Sequence, residues 1–395
     1  MNIAILGFGT VGTGVYDIIK KGNTAHTQNL TVSHIFVRET RTKDLPEMTA
    51  NIDDILLNDD VDVVVEVMGG IEPAHDYILK ALQNGKHVVS ANKAVIAKYM
   101  DEFVKTAQDN NVDFYFESSV AGGIPWIKNL ERSLRIDNVS SISGIFNGTS
   151  NFILDQMKKT GKPFADILKE AQDLGYAEAD PSADIDGYDI ENKLCISLNL
   201  AYNTSIKPSA KLPCFGIRNI TDKDINYFNE LGLIVKLMGK SRRAQNEFDY
   251  VIEPTLYNSS QIESSINDNF NYASLNGDTI GELGFMGQGA GKFPTANAVV
   301  QDILDIVDQA PRVIPAEKST LKLNTNLSMA DYLVRTSADL SQYVNSSQIK
   351  SVNDTYSLIE SMHAGKMHQA MAQLLKEDNQ AFMVNIAAND KERVL

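Results

Sequence analysis

The feature that most constrains the fold is a glycine-rich stretch near the start of the chain. Gly7, Gly9 and Gly12 have the spacing G-x-G-x-x-G, after an apolar run at residues 2–6 that predicts a strand and before a segment that predicts a helix to about Lys20. The first glycine makes the tight turn, the second lets backbone approach a pyrophosphate, and the third lets the helix pack closely on the strand. The helix N-terminus adds free N–H groups. The stretch predicts a dinucleotide-binding fold, and an incidental glycine-rich turn is the alternative.

Strand-like and helix-like segments then alternate along the chain. VDVVVEVMGG (61–70), KHVVSANK (86–93) and VDFYFESS (112–119) predict strands, with helical patterns between them. Such alternation predicts an α/β fold with a Rossmann-type, doubly wound parallel sheet whose ligands lie at the carboxyl ends of the strands. Lys93 stands at one of these ends, either as a functional group or as a surface lysine that begins the next helix.

The end of the second strand, near Leu30 to Val37, bears on the choice of cofactor. An acid there would bind the ribose 2′-hydroxyl of NAD, whereas arginine accommodates the 2′-phosphate of NADP. Arg38 follows the strand, with Arg41 and Lys43 close behind, so NADP is favoured. Glu39 keeps the use of NAD open.

A second unusual stretch, YAEADPSADIDGYDIENK (176–193), places six carboxylates ahead of one lysine. Asp189 and Lys193 are four residues apart, so on a helix they share a face and can pair. One interpretation is a solvated acidic loop followed by a surface ion pair. The other is a cage for a small molecule that carries an amine and needs acid/base chemistry.

An Asn147-Gly148 turn precedes a helix that Thr149 or Ser150 would cap. It is either a plain turn with its cap or a set of N–H groups that contact a nicotinamide or a substrate.

Composition excludes several classes of function. The formal net charge is −15, and no basic stripe indicates binding to nucleic acid. No apolar run approaches the roughly 20 residues of a membrane span, and the chain opens directly on a strand, without a signal-peptide pattern. Cys195 and Cys214 have neither disulfide nor metal-ligand spacing, which fits a reducing compartment. We therefore expect a cytoplasmic protein without membrane contacts.

The remaining half of the chain is less regular. Residues 224–243 predict a helix and 247–257 a strand, hence a mixed sheet with helices. GFMGQGAGKF (284–293) predicts a turn that returns the chain to the first domain. His363 and His368 fit surface positions on a helix better than metal ligands.

Several motifs together resemble those of homoserine dehydrogenases over about residues 2–307. They are GFGTVG, VDVVVEVMGG, SANK, ESSVAGGIP, FNGTSNFIL, LGYAEADPSADIDGYDIENK and GQGAGKFPTA. The resemblance implies the reversible NAD(P)-dependent interconversion of L-homoserine and L-aspartate 4-semialdehyde, in the biosynthesis of threonine, methionine and isoleucine. It also implies a homodimer or higher homo-oligomer. The alternatives are a related two-domain oxidoreductase acting on another small alcohol or aldehyde, and a non-catalytic nucleotide sensor. A sensor would be expected to lose the lysines or the acidic stretch, and both are intact.

The resemblance also implies roles for individual residues. Lys193 and Asp189 resemble the paired acid/base residues, and Lys93 resembles a lysine between cofactor and substrate. The cofactor residues implied are Gly7, Phe8, Gly9, Thr10, Val11, Gly12, Arg38, Lys93 and Gly289. The substrate residues implied are Asn147, Gly148, Thr149, Glu178, Asp184 and Asp189. A monovalent cation, usually sodium, is implied at backbone oxygens of Glu117, Val120, Gly122 and Ile124. Asp180, Asp186 and Glu191 are left as solvated surface.

The resemblance divides the chain into three parts. Residues 1–130, completed by about 285–308, would bind the dinucleotide, and residues 131–284 would bind substrate and dimerise. Residues 310–395 would form an ACT-like α+β module. This last part contains DYLVR but lacks the Pro-Gly turn of that module, so we expect a degenerate or shortened form, with threonine feedback in doubt.

Overall fold

The computed structural model describes residues 1–39, 44–209, 213–310, 312, 318–387 and 390–394. The chain folds as two compact units. The first comprises residues 1–135, 195–207 and 287–317, and the second comprises residues 136–194, 208–286 and 318–395. None of the helices in the described ranges is long and apolar enough to cross a membrane.

A parallel six-stranded sheet with the order β3-β2-β1-β4-β5-β6 organises the first unit. Its strands are β1 (Asn2–Leu6), β2 (Thr31–Phe36), β3 (Met48–Thr49), β4 (Val63–Glu66), β5 (His87–Ser90) and β6 (Phe114–Tyr115). The helices that accompany them are α1 (Thr10–Lys21), α2 (Asp53–Leu56), α3 (Ala74–Gln83), α4 (Lys93–Asp109) and α5 (Trp126–Ser133). The strand order is that of the Rossmann fold, which confirms the predicted doubly wound parallel sheet.

The strand predicted over 112–119 is shorter than expected. Only Phe114 and Tyr115 pair in the sheet, and Glu117–Ser119 form a 3₁₀ turn. The carboxylate of Asp302 accepts the backbone N–H of Glu117 at 2.8 Å, so this donor is not available to a neighbouring strand. A side chain distant in sequence therefore ends the strand.

The second unit contains helices and a mixed sheet of ten strands. Along the chain come β7 (Val139–Ile145), α6 (Gly148–Thr160), α7 (Phe164–Asp173), α8 (Ser182–Ile185), α9 (Tyr188–Ala201), α10 (Asp222–Glu230), β8 (Leu233–Ala244), β9 (Glu247–Asn258), β10 (Phe270–Gly277) and β11 (Gly281–Gln288). Helix α9 begins in the second unit, and its last residues belong to the first. The sheet order is β11-β10-β7-β8-β9, followed by strands from the end of the chain.

The helix predicted over 224–243 is wrong in its second half. A capping box between Thr221 and Asp224 starts α10, and Gly232, at φ +70°, ends it. The following residues form β8, which pairs antiparallel with β9 over its whole length. The apolar run LIVKLM fits either structure by periodicity, and pairing with β9 decides for the strand.

The end of the chain completes both units. Helix α11 (Lys292–Val307) packs on α1, where a Cβ on Gly14 would lie 2.7 Å from the carbonyl oxygen of Lys292. The rest comprises β12 (Lys322–Leu323), β13 (Met329–Arg335), β14 (Ile349–Ser351), β15 (Tyr356–His363), α12 (Ala364–Glu377) and β16 (Phe382–Ile386). Its strands extend the second sheet in the order β16-β13-β15-β14, and β16 runs parallel to β9.

The surface position predicted for His368 is wrong. His368 is buried on α12, and its Nε2 lies 2.9 Å from a carboxylate oxygen of Glu253 on β9. His363 is half-buried and immediately precedes α12.

Candidate active site

The glycine-rich turn between β1 and α1 is shaped to receive an anion. Gly7 has φ +99°, and a Cβ on Gly12 would lie 2.1 Å from the carbonyl oxygen of Gly7, so both positions require glycine. A Cβ on Gly9 would meet open space. No side chain caps α1 at Gly9, and its first turn contains no acid. The turn therefore offers N–H groups and room, which fit a dinucleotide pyrophosphate.

The other predicted residues of this turn lie around the same helix start. Thr10 is exposed, and Phe8 and Val11 are half-buried. Arg38 and Glu39 are both exposed beyond the end of β2. Arg41 and Lys43 lie outside the described residues.

Polar side chains at the ends of β4 and β5 fix the beginning of α4. Ser90 donates a 2.6 Å hydrogen bond to the carboxylate of Glu66, and burial raises the pKa of that carboxyl. Asn92 donates to the carbonyl of Gly70 at 2.6 Å and caps α4 through its side-chain oxygen. Lys93 is the first residue of α4 and is half-buried. The strand ends thus place Lys93 at the carboxyl edge of the parallel sheet.

The segment that follows β6 is buried and rich in backbone contacts. The carboxylate of Glu117 accepts the N–H groups of Ile127 and Lys128, each at 2.8 Å, and burial raises the pKa of this carboxyl to about 7. Gly122 has φ +57°, and its Cβ would lie 2.4 Å from the carbonyl oxygen of Gly289. The late glycine turn therefore packs directly on this segment.

The buried carbonyl-rich turn also bears on the cation implied by the family. The four positions Glu117, Val120, Gly122 and Ile124 lie in this one turn, and all four are buried or nearly so. Neutral carbonyl oxygens are the ligand type that hard cations prefer. These backbone oxygens fit such an ion by chemical type, although the oxygen of Glu117 also accepts the N–H of Val120 at 3.3 Å.

Lys193 and Asp189 form the centre of the second unit's polar cluster. Nζ of Lys193 donates to Oδ2 of Asp189 at 2.7 Å and to the backbone carbonyl of Phe146 at 2.6 Å. The two side chains are 9% and 2% exposed. An ion pair so deeply buried rules out the interpretation of a solvated surface pair.

Asn147 links this pair to a further acid. Its Nδ2 donates to Asp184 at 2.6 Å and to Asp189 at 2.8 Å, while its Oδ1 accepts the N–H of Ser150 and caps α6. Gly148 begins α6, and a Cβ there would lie 2.7 Å from the carbonyl oxygen of Asn269. The Asn-Gly turn is therefore both a helix cap and one wall of the carboxylate cluster.

The exposure and pairing of the remaining acids in the acidic stretch differ from the prediction. Glu178 and Asp180 are exposed. Asp186 is not simply solvated, because it pairs with Arg218 at 2.6 Å. Glu191 is 5% exposed and accepts the N–H of Ser209 at 3.1 Å, so its prediction as solvated surface is wrong. Burial raises the pKa of Glu191.

Thr149 is held against the end of α7. Its hydroxyl donates to the carbonyl of Tyr176 at 2.7 Å. This bond fixes the first residue of the acidic stretch.

Two further contributors to this cluster were not predicted from the sequence. The carbonyl of Phe146 accepts Lys193, and it also accepts Nδ2 of Asn271 at 2.8 Å. A backbone acceptor has no sequence signature. Asn271 had a weak one, as a polar residue at the start of the strand-like run NYASL.

Comparisons with known proteins identify the family to which this chain is similar. The model of the homoserine dehydrogenase NAD-binding domain matches residues 7–117, and the homoserine dehydrogenase model matches residues 125–304. Homoserine dehydrogenase of Bacillus subtilis is 39% identical over 316 residues, which are 78% of this chain and 73% of that protein.

Solved structures extend the likeness to the whole chain. A homoserine dehydrogenase from Thiobacillus denitrificans superposes with a TM-score of 0.84 at 31% identity, covering 98% of each chain. A hyperthermophilic archaeal homoserine dehydrogenase in complex with NADPH superposes with a TM-score of 0.68 at 28% identity, covering 79% of this chain and 98% of that one. On its glycine turn, its buried lysine–carboxylate pair and these matches, the chain belongs to the homoserine dehydrogenase family.

Proposed function

We propose that Lys193, oriented by Asp189, transfers the hydroxyl proton in the NAD(P)-dependent interconversion of L-homoserine and L-aspartate 4-semialdehyde. The buried Lys193–Asp189 pair on the Phe146 carbonyl is the observation that carries this proposal. On oxidation, the hydroxyl proton passes to the amine of Lys193, and on reduction the ammonium returns it. The nicotinamide of bound NAD(P) supplies the hydride acceptor.

The carboxylates around this pair suit the substrate's ammonium group. Asp184 lies next to Asp189 through the shared amide of Asn147, so negative charge is concentrated where a cationic amine would bind. Glu178, Gly148 and Thr149 complete the proposed substrate residues. The cationic form of Lys193 would also stabilise the alkoxide that develops on the substrate, a charge that grows toward the transition state. Lys93, at the start of α4, is the third catalytic residue that we propose.

The proposed cofactor site combines the glycine turn with the end of β2. Gly7, Gly9, Gly12 and the N-terminus of α1 would hold the pyrophosphate, flanked by Phe8, Thr10 and Val11. Gly289 is the last residue of the proposed cofactor site, and it lies in the late glycine turn that packs on Gly122 within the same unit. Arg38 favours NADP over NAD, because its exposed guanidinium suits a 2′-phosphate.

We propose a monovalent cation, sodium, on backbone oxygens of Glu117, Val120, Gly122 and Ile124. The buried turn of carbonyl groups supports this assignment. Thermal unfolding in sodium chloride and in choline chloride at equal ionic strength tests it without an activity readout. A higher melting temperature in sodium is the expected result, and equal melting temperatures would contradict the site.

Three broader proposals concern organisation. The units support a dinucleotide-binding domain at 1–130, completed by about 285–308, and a substrate domain at 131–284 that forms a homodimer. Residues 310–395 would be an ACT-like module, which the strand order β16-β13-β15-β14 supports because a βαββαβ unit has that order. Two 3₁₀ turns, Leu340–Gln342 and Ser346–Gln348, stand where its first helix would be. A cytoplasmic location is consistent with the two free cysteines.

Two of these proposals, the homodimer and the C-terminal module, have a direct measurement. Light scattering after size exclusion gives the oligomeric state. L-threonine titrated into the assay, beside D-threonine, shows whether the C-terminal module confers feedback.

The decisive experiment follows reduced nicotinamide by absorbance with L-homoserine and either NADP or NAD. Turnover with homoserine, more efficient with NADP, is the expected result. Turnover of a different small alcohol, with none for homoserine, would favour the alternative of a related oxidoreductase.

A further inference from the structure

The carbonyl oxygen of Phe146 accepts hydrogen bonds from two side chains. One comes from Nζ of Lys193 at 2.6 Å and the other from Nδ2 of Asn271 at 2.8 Å. A carbonyl oxygen has two lone pairs, so both bonds form without competing for one position. The place of the lysine nitrogen therefore depends on an oxygen that Asn271 also holds.

The Asn271 amide has its orientation fixed by this contact. Asn271 is 0% exposed, and its Oδ1 has no hydrogen-bond partner among the described residues. Turning the amide over would direct its oxygen at the carbonyl oxygen of Phe146, where two acceptors would repel. A buried acceptor left without a partner is unfavourable, and the bond from Nδ2 compensates for part of that cost.

The loop that delivers Asn271 is itself held firmly. Asn151 on α6 donates to three carbonyl oxygens of the loop, those of Ile266, Asp268 and Phe270, at 3.0–3.2 Å. The buried ammonium of Lys236 donates to Oδ1 of Asn151 at 3.0 Å and also to the carbonyl of Ile266. These hydrogen bonds hold the loop before Asn271 in place and so fix the position of Asn271 relative to Phe146.

Asn271 also lies beside the turn that begins α6. A Cβ on Gly148 would lie 3.5 Å from Oδ1 of Asn271 and 2.7 Å from the carbonyl oxygen of Asn269. The strand start at β10 and the Asn147-Gly148 turn are therefore in direct contact.

We propose that Asn271 is a positioning residue for the reaction: its buried amide donates a hydrogen bond that fixes the Phe146 carbonyl, and this carbonyl accepts the hydrogen bond that positions the Lys193 ammonium. The inference rests on the proposed role of Lys193. It assigns to Asn271 no contact with the reacting atoms. Its consequence is that the rate of proton transfer depends on a residue at the start of β10, the strand that pairs with β7 next to Phe146.

The test compares three variants by homoserine oxidation. Asn271→Ala removes the donor, Asn271→Asp keeps the shape but replaces the donor with a carboxylate, and Asn276→Ala changes an exposed asparagine on the same strand. We expect Asn271→Ala to lower kcat by about 10- to 100-fold, because misplacing a reacting group weakens catalysis steeply. KM for homoserine and the affinity for NADPH, followed by its fluorescence, should stay within about threefold. Asn276→Ala should resemble the parent.

The pH profile separates positioning from a general loss of structure. In Asn271→Asp a second carboxylate would stand beside the oxygen that Lys193 contacts, and a nearby negative charge favours the protonated lysine. We therefore expect the pH at which kcat reaches half its maximum to move upward by about one unit. A merely structural defect would lower the melting temperature and leave this midpoint in place.

The outcomes distinguish a failure of the positioning role of Asn271 from a failure of the proposed function. If the parent oxidises homoserine and Lys193→Ala is inactive, yet folded Asn271→Ala keeps kcat within twofold, the positioning role is wrong and the proposed function stands. If the parent does not turn over homoserine, the proposed function fails first, and the positioning role with it. Should Asn271→Ala not fold, Asn271→Asp decides, and an unchanged pH midpoint with unchanged kcat refutes the inference.

Discussion

Lys193 and Asp189 form a buried ion pair across one turn of α9, with 2.7 Å between Nζ and Oδ2. Taking two charges out of water is costly, and apolar side chains in their place are often no less stable. A buried pair is therefore poor evidence for a stabilising role. Its position beside Asn147 and a second carboxylate, that of Asp184, instead supports the proposed chemical role.

Replacing Lys193 with alanine is the direct test of that role. We expect Lys193→Ala to lower kcat by about 10²- to 10⁴-fold, the contribution typical of a positioned acid or base. NADPH affinity should change little, because the glycine turn of the first unit is untouched. The matched control is Lys169→Ala, since Lys169 also pairs with an aspartate four residues away but is 74% exposed. Near-normal turnover of Lys193→Ala would remove the proton-transfer role.

The second prediction concerns cofactor preference, which we expect to depend on Arg38. Arg38→Ala should raise KM for NADP about tenfold, as expected for loss of a charged hydrogen bond to the 2′-phosphate, and leave KM for NAD unchanged. Steady-state kinetics with both cofactors measure the ratio. Arg135→Ala, at another exposed arginine of the same unit, should change neither KM. Equal effects on both cofactors would show that Arg38 does not contact the 2′-phosphate.

Much of the first unit was predictable because its signals are local. Val63, Val64 and Val65 form a completely buried β-branched run, and the glycines before α1 require their conformations whatever surrounds them. The parallel sheet follows from alternating strands and helices. Proximity of Asp189 and Lys193 likewise follows from helix geometry.

The rest depended on contacts distant in sequence. His368 is buried because Glu253, 115 residues earlier, accepts its ring N–H, and a helical pattern alone favours the surface. Residues 233–244 are a strand because β9 pairs with them. Lys193 is positioned by a hydrogen bond to the backbone oxygen of Phe146, and no side-chain pattern predicts such a bond.

Lys236 leads to a prediction about stability at alkaline pH. Burial lowers the pKa of this lysine to about 8, against 10.5 for an ordinary lysine. Between these values the unfolded chain binds more protons than the folded one, so the free energy of unfolding rises with pH by about 3 kcal/mol from this group. Urea unfolding at pH 7.5, 9 and 10.5 should show the rise in the parent relative to Lys236→Met. Lys223→Met, at an exposed lysine, should follow the parent. Parallel curves for the parent and Lys236→Met would contradict the shift.

Glu253 leads to a prediction at acid pH, where we expect the free energy of unfolding to fall as the pH is lowered. Burial alone would raise its pKa, but Lys240 at 3.0 Å and His368 at 2.9 Å lower it to about 2. Asn385 adds a third hydrogen bond, at 2.8 Å. Because the folded carboxyl releases its proton more readily than the unfolded one, its stabilisation is complete above about pH 4.5 and is lost as pH falls towards 2.

Glu253→Gln removes this stabilisation. At pH 7 the variant should lose about 3 kcal/mol of unfolding free energy, because the half-buried ammonium of Lys240 then lacks its carboxylate and His368 loses a charged hydrogen-bond acceptor. Urea unfolding at pH 7, 4 and 3 should show the deficit shrinking as the pH falls, because the parent carboxyl is then being neutralised. Glu230→Gln, at an exposed glutamate, should match the parent throughout. A deficit that stayed constant with pH would mean that Glu253 stabilises the sheet by shape and hydrogen bonding rather than by charge.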